Sequence, residues 1–160
     1  MAKKRIYVES SIISYLTARP ARDERNRMRQ QQTSLWWERR HEWDCVVSAT
    51  VMEEIAEGDP GAAARRMEKT QSLVEVPVPP ETYFLADLLV SYKLVPESAR
   101  PDAMHLAAAA IYGAHYLLTW NQKHLANVEL CSRIEDLIQR YDWKPAKVIT
   151  PRLLLLEESP

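Results

Sequence analysis

Three acidic residues and one amide occupy positions from which their side chains could share a divalent cation. Glu9 ends the β-branched and aromatic run RIYVE, and Asn121 follows the apolar run YLLTW. Glu54 lies in the first turns of a helix expected after the run DCVVS, and Asp102 starts an alanine-rich helix. Mg²⁺ and Mn²⁺ favour oxygen ligands, and a bound cation relieves the repulsion between clustered carboxylates. Such a site could activate water for attack on a phosphodiester.

Each of these residues also has an ordinary structural explanation. Glu9 can cap a helix, Asp102 suits a first helical turn, and Glu54 can be one of several solvated helix acids. Asn121 is a common turn residue. Glu53 is a competing helix acid, and it points about 100° away from Glu54 around the helix axis. Spacing alone therefore leaves both the metal site and the structural interpretation open.

Strand-like and helical segments alternate along the chain and predict an α/β fold. The strands are expected at 5–9, 44–48, 74–78, 116–120 and 148–150. Because parallel neighbours need crossover connections, we expect a central parallel sheet of about five strands covered by helices on both faces. Pro77 suggests that the third strand lies at an edge, and Gly113 is expected to end the alanine-rich helix. Active groups of such sheets gather outside the carboxyl ends of the strands, where Glu9 and Asn121 would lie.

The composition is that of an ordinary globular protein. The 160 residues have a mass of 18.5 kDa and are 46% hydrophobic and 27% charged. They predict one domain over 1–151, followed by a tail or final short segment over 152–160. Three glycines exclude a glycine-rich phosphate loop, and the separated Cys45 and Cys131 favour buried reduced thiols over a disulfide or zinc site. No apolar stretch reaches about 20 residues and no secretory hydrophobic region is recognisable, so we expect a cytoplasmic protein without membrane spans.

A basic segment interrupts this balanced composition. The net charge is −1, yet residues 17–41 contain seven arginines and three acids. These arginines could bind phosphate oxygens, and Trp36, Trp37 and Trp43 could stack on bases. The favoured alternative is a solvated arginine-rich helix anchored in the core by Leu35, Trp36 and Trp37. The candidate nucleic-acid contacts are Arg19, Arg22, Arg25, Lys123 and His124.

Several segments, in order, resemble PIN-domain proteins over nearly the whole chain. They are YVESSIISYLTARPARD, SATVMEEIAEGDPGAAARRME, RPDAMHLAAAAIYGAHYLLTWNQKHLAN and VITP. In particular, the sequence resembles the VapC-like toxins of type II toxin–antitoxin systems, which are typically small Mg²⁺- or Mn²⁺-dependent ribonucleases. The resemblance implies a PIN-like three-layer fold and one or two metal ions. It places the first family acid at Glu9, the helix acid at Glu54 and the acid of the DA-x-H motif at Asp102.

Two positions depart from the common PIN pattern. Most PIN nucleases have aspartate where this chain has Glu9, and aspartate where the run LLTWN supplies Asn121. Glutamate keeps the charge but extends it by one methylene. Asparagine offers a neutral carbonyl oxygen, so metal binding is expected to be weaker, especially for a second ion.

Neighbouring polar residues are expected to support these ligands. Ser10, Ser11 and Thr119 could orient a water molecule, although helix capping and strand packing also explain them. His105 follows Asp102 by about one helical turn and could assist proton transfer, although a structural role is the favoured interpretation.

The resemblance also implies partners. An RNA substrate, a homodimer and a cognate antitoxin are expected on that basis. The apolar positions Tyr83, Leu85, Leu88, Leu89 and Tyr92 could belong to the core or to a dimer surface. The alternative function is a catalytically degenerate PIN scaffold that binds RNA or a protein partner through the Arg19–His41 surface. A phosphoacceptor receiver domain does not fit, because Glu9 is followed by two serines rather than a second acid.

Overall fold

The computed structural model describes residues 2–121 and 128–158. Its centre is a five-stranded sheet in which every neighbouring pair is parallel, with the order β3-β2-β1-β4-β5. The strands are β1 (Arg5–Val8), β2 (Asp44–Ser48), β3 (Val74–Val76), β4 (Tyr116–Leu118) and β5 (Lys147–Ile149). The parallel α/β prediction is therefore confirmed, with β3 at an edge as Pro77 suggested.

Eight α-helices connect and flank the strands in the described part of the chain. They are α1 (Ser10–Thr17), α2 (Glu24–Glu38), α3 (Ala49–Ile55), α4 (Pro60–Thr70), α5 (Pro80–Ser91), α6 (Arg100–Tyr112), α7 (Val128–Arg140) and α8 (Pro151–Glu157). Helix α1 packs on α2, α3 and α4, and α2 also packs on α8, whereas α5 packs on α6 and α7. After β3 the chain crosses back over the sheet, and β4 joins it on the other side of β1. Because crossovers between parallel strands are right-handed, the helices packed around α1 and α2 and those packed around α5 lie on opposite faces of the sheet.

Three strands are shorter than the sequence predicts. Strand β1 ends at Val8 because Glu9 instead caps α1, and its side chain accepts a hydrogen bond from the Ser11 backbone N–H. Strand β3 stops before Pro77, which cannot donate a ladder hydrogen bond. Strand β4 stops at Leu118, and the peptide N–H of Trp120 then bonds to a serine hydroxyl instead of a strand neighbour.

Two helix ends follow simple local chemistry. Helix α6 ends at Gly113, whose φ of +84° is a left-handed conformation that favours glycine. The arginine-rich helix expected in the basic segment is α2, which ends at Glu38, and a separate 3₁₀ turn covers Arg40–Glu42. Of the polar residues that follow the run YLLTW, Asn121 is described, whereas Lys123 and His124 lie outside the described residues.

The C-terminal helix α8 packs against the rest of the molecule. Leu154 is fully buried in the core, and α8 contacts α2. Lys4 and Tyr116 both donate to the Glu158 carboxylate, each at 2.6 Å. The described residues of the expected final segment, 152–158, thus include a short helix held by one buried leucine and by polar contacts.

The stripe predicted on α5 divides between core and surface. Leu85 and Leu89 are buried, whereas Tyr83 and Tyr92 are exposed. Cys45 and Cys131 form no disulfide in the described part of the chain, and both are half-buried rather than buried as expected. Burial raises the pKa of the Cys45 thiol to about 12. No helix in the described ranges has the length and apolarity needed to cross a membrane.

Candidate functional site

The candidate site lies at the carboxyl edge of the sheet, where β1, β2 and β4 end side by side. Glu9 follows β1, and α3 begins directly after β2 and carries Glu54 on its second turn. Asn121 follows β4 by two residues, and Asp102 sits in the first turn of α6. Glu9, Asp102 and Asn121 line one small cleft together with His105. The sheet edge therefore collects the residue types that the sequence singled out.

Glu9 is the most enclosed carboxylate of this edge, with 8% of its surface exposed. Its Oε1 accepts from the hydroxyls of Ser11 and Thr119, each at 2.5 Å. Its Oε2 accepts from the Ser10 hydroxyl at 2.7 Å and from the Ser11 N–H at 3.1 Å. Burial alone would raise the pKa of Glu9, but the positive charge of His105 and these hydroxyl donors together lower it below its usual value. Glu9 is therefore an ionised carboxylate that four protein donors hold in place.

Glu54 faces Glu9 across a single hydroxyl group. Ser10 Oγ lies 2.7 Å from Glu9 Oε2 and 3.1 Å from Glu54 Oε1. Its one proton can serve only one of these two oxygens at a time. Glu53, the competing acid, is exposed, whereas Glu54 is half-buried, as the position on the helix predicts.

His105 completes the cluster from the buried side of α6, and only 3% of its surface is exposed. Its Nε2 lies 2.6 Å from Glu54 Oε1, and its Nδ1 lies 2.7 Å from the hydroxyl of Tyr7. Burial alone would lower the pKa of His105, but its hydrogen bond to Glu54 and the negative charges of Glu54, Glu9 and Asp102 raise it. The imidazolium form can donate from both ring nitrogens, to the carboxylate on one side and to the phenol on the other.

Tyr7 and Ser48 belong to the same network, although the sequence pattern did not single them out. The Tyr7 hydroxyl lies 2.6 Å from Ser48 Oγ and is fully buried, as is Ser48 itself. Ser48 also accepts from the N–H of Val51 and so caps α3. Side chains alternate along a strand, so the position of Tyr7 two residues before Glu9 was a usable signal. Nothing in the sequence indicated its pairing with His105, which is 98 residues away.

Removing the Tyr7 hydroxyl should measurably destabilise the fold. Tyr7→Phe deletes one oxygen and leaves His105 Nδ1 and Ser48 Oγ without this partner in a buried place. We expect the free energy of unfolding to fall by about 1–3 kcal/mol, measured by urea denaturation. Tyr83→Phe, a change at an exposed tyrosine of α5, should stay within about 0.5 kcal/mol of the wild type. Equal effects of the two changes would contradict the network.

Asp102 and Asn121 form the other half of the edge. Asn121 Nδ2 donates to Asp102 Oδ1 at 3.0 Å, so the amide nitrogen rather than the carbonyl oxygen faces the carboxylate. Asp102 is half-buried and Asn121 is exposed. The prediction from the sequence was that Asn121 offers a neutral carbonyl oxygen to a metal ion. A flip of the amide group would be needed to bring that oxygen to the side of Asp102.

A divalent cation fits the chemistry of this donor set. One oxygen or nitrogen atom from each of Glu9, Glu54 and His105 lies within 4.8 Å of the others. Glu54 Oε2 accepts no hydrogen bond from the described residues, whereas Glu54 Oε1 faces both Ser10 Oγ and His105 Nε2. Three carboxylates and one histidine carry a net negative charge even when the imidazole is protonated, and a cation would offset that charge. Glu9 could become a ligand only by giving up one of its four donors.

The supporting residues lie where the sequence placed them. Ser10, Ser11 and Thr119 all donate to Glu9, and Thr119 Oγ1 also accepts from the N–H of Asn121. The expectation that His105 is structural describes only part of its environment, because it contacts the Glu54 carboxylate directly.

The tryptophans in and beside the basic segment do not form a surface on which bases could stack. Trp36 and Trp43 are buried, so they cannot stack on bases, and Leu35 is exposed rather than a core anchor. The guanidinium of Arg40 lies 4.0 Å from the ring centroid of Trp37. Of the proposed nucleic-acid contacts, Arg19 lines a cleft between α1 and α2, and Arg22 and Arg25 are exposed. Lys123 and His124 lie outside the described residues.

Comparison with known proteins supports the architecture. No family model matches the sequence and no curated protein matches it. The structure is similar to a chain of a toxin–antitoxin complex from Klebsiella pneumoniae, with a TM-score of 0.56 and 16% identity over 91% of this chain and 97% of that chain. It is also similar to VapC20 of Mycobacterium tuberculosis, a toxin that cleaves the sarcin–ricin loop. That match has a TM-score of 0.53 and 15% identity over 76% of this chain and 93% of that chain.

The protein has a PIN-like fold. At this level of identity the comparison establishes the arrangement of strands and helices. Within the PIN-like fold, Glu9, Glu54, Asp102 and Asn121 lie at the carboxyl edge of the parallel sheet. What these residues can do chemically follows from their own geometry.

Proposed function

We propose that the protein is a divalent-metal-dependent ribonuclease that hydrolyses RNA phosphodiester bonds. The observation that carries the proposal is the convergence of Glu9 and Glu54 on one hydroxyl, at 2.7 and 3.1 Å, in the cleft edge that also holds Asp102. Carboxylates are brought this close at a cost that a cation relieves. Similarity of the fold to a chain of a toxin–antitoxin complex and to a toxin that cleaves the sarcin–ricin loop supports the same proposal.

Each residue has a defined role in this proposal. Glu54 and Asp102 would hold a Mg²⁺ or Mn²⁺ ion, with Glu9 and the oxygen of Asn121 as further ligands. When bound, the ion would stabilise charge on the phosphate oxygens and make water a better nucleophile at neutral pH. His105 fixes the orientation of Glu54 through Nε2, while Ser10, Ser11 and Thr119 fix that of Glu9. One ion is the simpler assignment, because Asn121 adds no charge to support a second.

The wider biological setting follows from the same proposal. We place the enzyme in the cytoplasm, where its RNA substrate is found. A cognate antitoxin would cover the carboxylate edge, which is the part of the sheet edge that carries Glu9, Glu54 and Asp102. A homodimer is the proposed assembly.

Cleavage of a mixed single-stranded RNA pool tests the function directly. The wild type is expected to cleave the pool with Mn²⁺ or Mg²⁺ and to stop when EDTA is added. Glu54→Gln/Asp102→Asn, which keeps the shapes of both side chains, should be inactive while still folded by circular dichroism. Persistent cleavage by the double variant would point to a contaminating nuclease.

A degenerate site is the second candidate, and the hydrogen bonds of Glu9 and Asn121 favour it. Glu9 already accepts four hydrogen bonds, and Asn121 turns its nitrogen towards Asp102. A scaffold of this kind would bind RNA or a protein without cleaving it. Thermal melts separate the two functions. If the site binds metal, millimolar Mn²⁺ should raise the melting temperature of the wild type and leave that of the double variant unchanged. If the site is degenerate, Mn²⁺ should shift neither melting temperature.

A further inference from the structure

Trp120 sits beside the carboxylate edge and is fixed by two hydrogen bonds. Its backbone N–H donates to Ser11 Oγ at 2.9 Å, and that hydroxyl donates to Glu9 Oε1. Its indole N–H donates to the buried Thr33 hydroxyl of α2 at 2.8 Å. The next residue along the chain is Asn121. The half-buried indole ring is therefore held in one place, directly next to the groups proposed to bind the metal.

The guanidinium of Arg29 lies over this ring and also contacts the hydroxyl of Tyr15. Its guanidinium carbon is 5.1 Å from the Trp120 ring centroid, and its Nη1 donates to the Tyr15 hydroxyl at 3.2 Å. Tyr15 in turn packs edge-on against Trp120, with ring centroids 5.9 Å apart. Among the described residues no carboxylate forms an ion pair with Arg29, in contrast to Arg39, which pairs with Glu42. A half-buried guanidinium with unused donors is a good site for an anion.

A cleft lies next to the Trp120 ring. Tyr15 also lines a cleft of about 270 Å³ between α1 and α2, together with Arg19, Asn26 and Gln30. The cleft thus adjoins Trp120 through Tyr15, and the acidic cluster adjoins it through Ser11. Contact between α2 and the segment after β4 accounts for the indole hydrogen bond to Thr33, but it does not require a guanidinium over the ring that pairs with no carboxylate among the described residues.

We infer that Arg29, Trp120 and Tyr15 form a nucleotide-binding subsite, which binds one nucleotide of single-stranded RNA next to the cleaved bond. Arg29 contacts a phosphate oxygen, and the aromatic pair packs against the base, since every base offers a π-face to such a ring. This inference rests on RNA being the ligand in the proposed function. It assigns substrate binding to one corner of the basic segment, where α2 meets the end of β4.

Binding of a fluorophore-labelled short single-stranded RNA, measured by anisotropy in EDTA, tests the subsite without cleavage. Trp120→Leu is expected to weaken binding roughly 5- to 150-fold, the range found for loss of one stacked base. Trp120→Phe should keep most of the affinity, because it retains a stacking ring while losing the bond to Thr33. Arg29→Met should reduce the slope of log affinity against log salt by about 0.7, the value for one phosphate contact on a single strand.

Matched controls separate recognition from folding. Trp143→Leu removes another half-buried tryptophan, and Arg140→Met removes an exposed arginine at the end of α7. Both should bind RNA as the wild type does. With RNAs that carry one abasic nucleotide at a time, one position should abolish the difference between wild type and Trp120→Leu.

The possible outcomes are distinct. The proposal of a nucleotide subsite is overturned if the wild type does not bind the RNA. It is also overturned if Arg29→Met, Trp120→Phe and Trp120→Leu each bind the RNA with unchanged affinity. Equal losses in Arg140→Met and Arg29→Met would also overturn it, because the effect would then be general charge. Binding that depends on Arg29 and Trp120 without any metal-dependent cleavage would retain the subsite and refute the ribonuclease. If the wild type cleaves RNA, the variant Glu54→Gln/Asp102→Asn does not, and RNA affinity is independent of Arg29 and Trp120, the ribonuclease proposal is retained and the subsite is refuted.

Discussion

Replacing Glu54 with glutamine is expected to reduce Mn²⁺-dependent RNA cleavage by about 100-fold or more. The amide removes a charge from the proposed metal site, yet its carbonyl oxygen can still accept from His105 and Ser10. The fold should therefore survive, and the loss should be specific to the metal. Initial cleavage rates over a range of Mn²⁺ concentrations provide the measurement.

The neighbouring residue supplies the matched control. Glu53→Gln makes the same chemical change one position earlier, on an exposed side chain. It should leave both the cleavage rate and the Mn²⁺ dependence of the melting temperature unchanged. If Glu53→Gln lost as much activity as Glu54→Gln, net charge rather than geometry would be responsible, and the assignment of Glu54 would be wrong.

The largest effect on stability is expected at Trp36, which is fully buried in the core on α2. Trp36→Ala removes the largest of the fully buried side chains and leaves a cavity between α2 and the core. We expect the free energy of unfolding to fall by about 3–5 kcal/mol, measured by urea denaturation. Such a loss would remove much of the stability of an ordinary domain.

Trp36→Phe distinguishes the contributions of volume and polarity. The indole Nε1 of Trp36 is buried and has no hydrogen-bond partner among the described residues. Phenylalanine removes this unsatisfied donor while keeping most of the apolar volume, so its cost should be well below that of alanine. A small effect of Trp36→Ala would show that α2 is not packed on the core as described.

Stability and proposed function meet in the same helix. Helix α2 carries Trp36 in the core, Thr33 as the partner of the Trp120 indole, and Arg29 over the Trp120 ring. These positions are three or four residues apart, so they lie on one face of the helix. Core packing of α2 therefore also sets the position of the proposed nucleotide subsite.

The sequence was sufficient to predict which acidic residues lie at the carboxylate edge. Glu9 follows a strand, Glu54 lies early in a helix after a strand, and Asp102 begins a helix before a strand. In a parallel sheet such positions share one edge, so alternation of strands and helices already placed them together. The helical period likewise selected Glu54 over Glu53.

Contacts between side chains were not predictable in the same way. The sequence suggested that tryptophans of the basic segment could stack on bases, but the fold buries Trp36 and Trp43 and instead brings Trp120 to Arg29. It also left His105 without a definite partner, whereas the fold places it between Tyr7 and Glu54. Lys123 and His124 lie outside the described residues, and those two contacts remain predictions.

The sequence by itself determined the class of fold and which acids lie at the carboxyl edge of the sheet, because strand and helix periods and turn residues act over short stretches of chain. Only the tertiary structure decided which groups meet: Ser10 between two carboxylates, His105 against Tyr7, and Arg29 over Trp120. These pairs are set by how helices dock on the sheet, and docking depends on the packing of the whole core rather than on residue spacing.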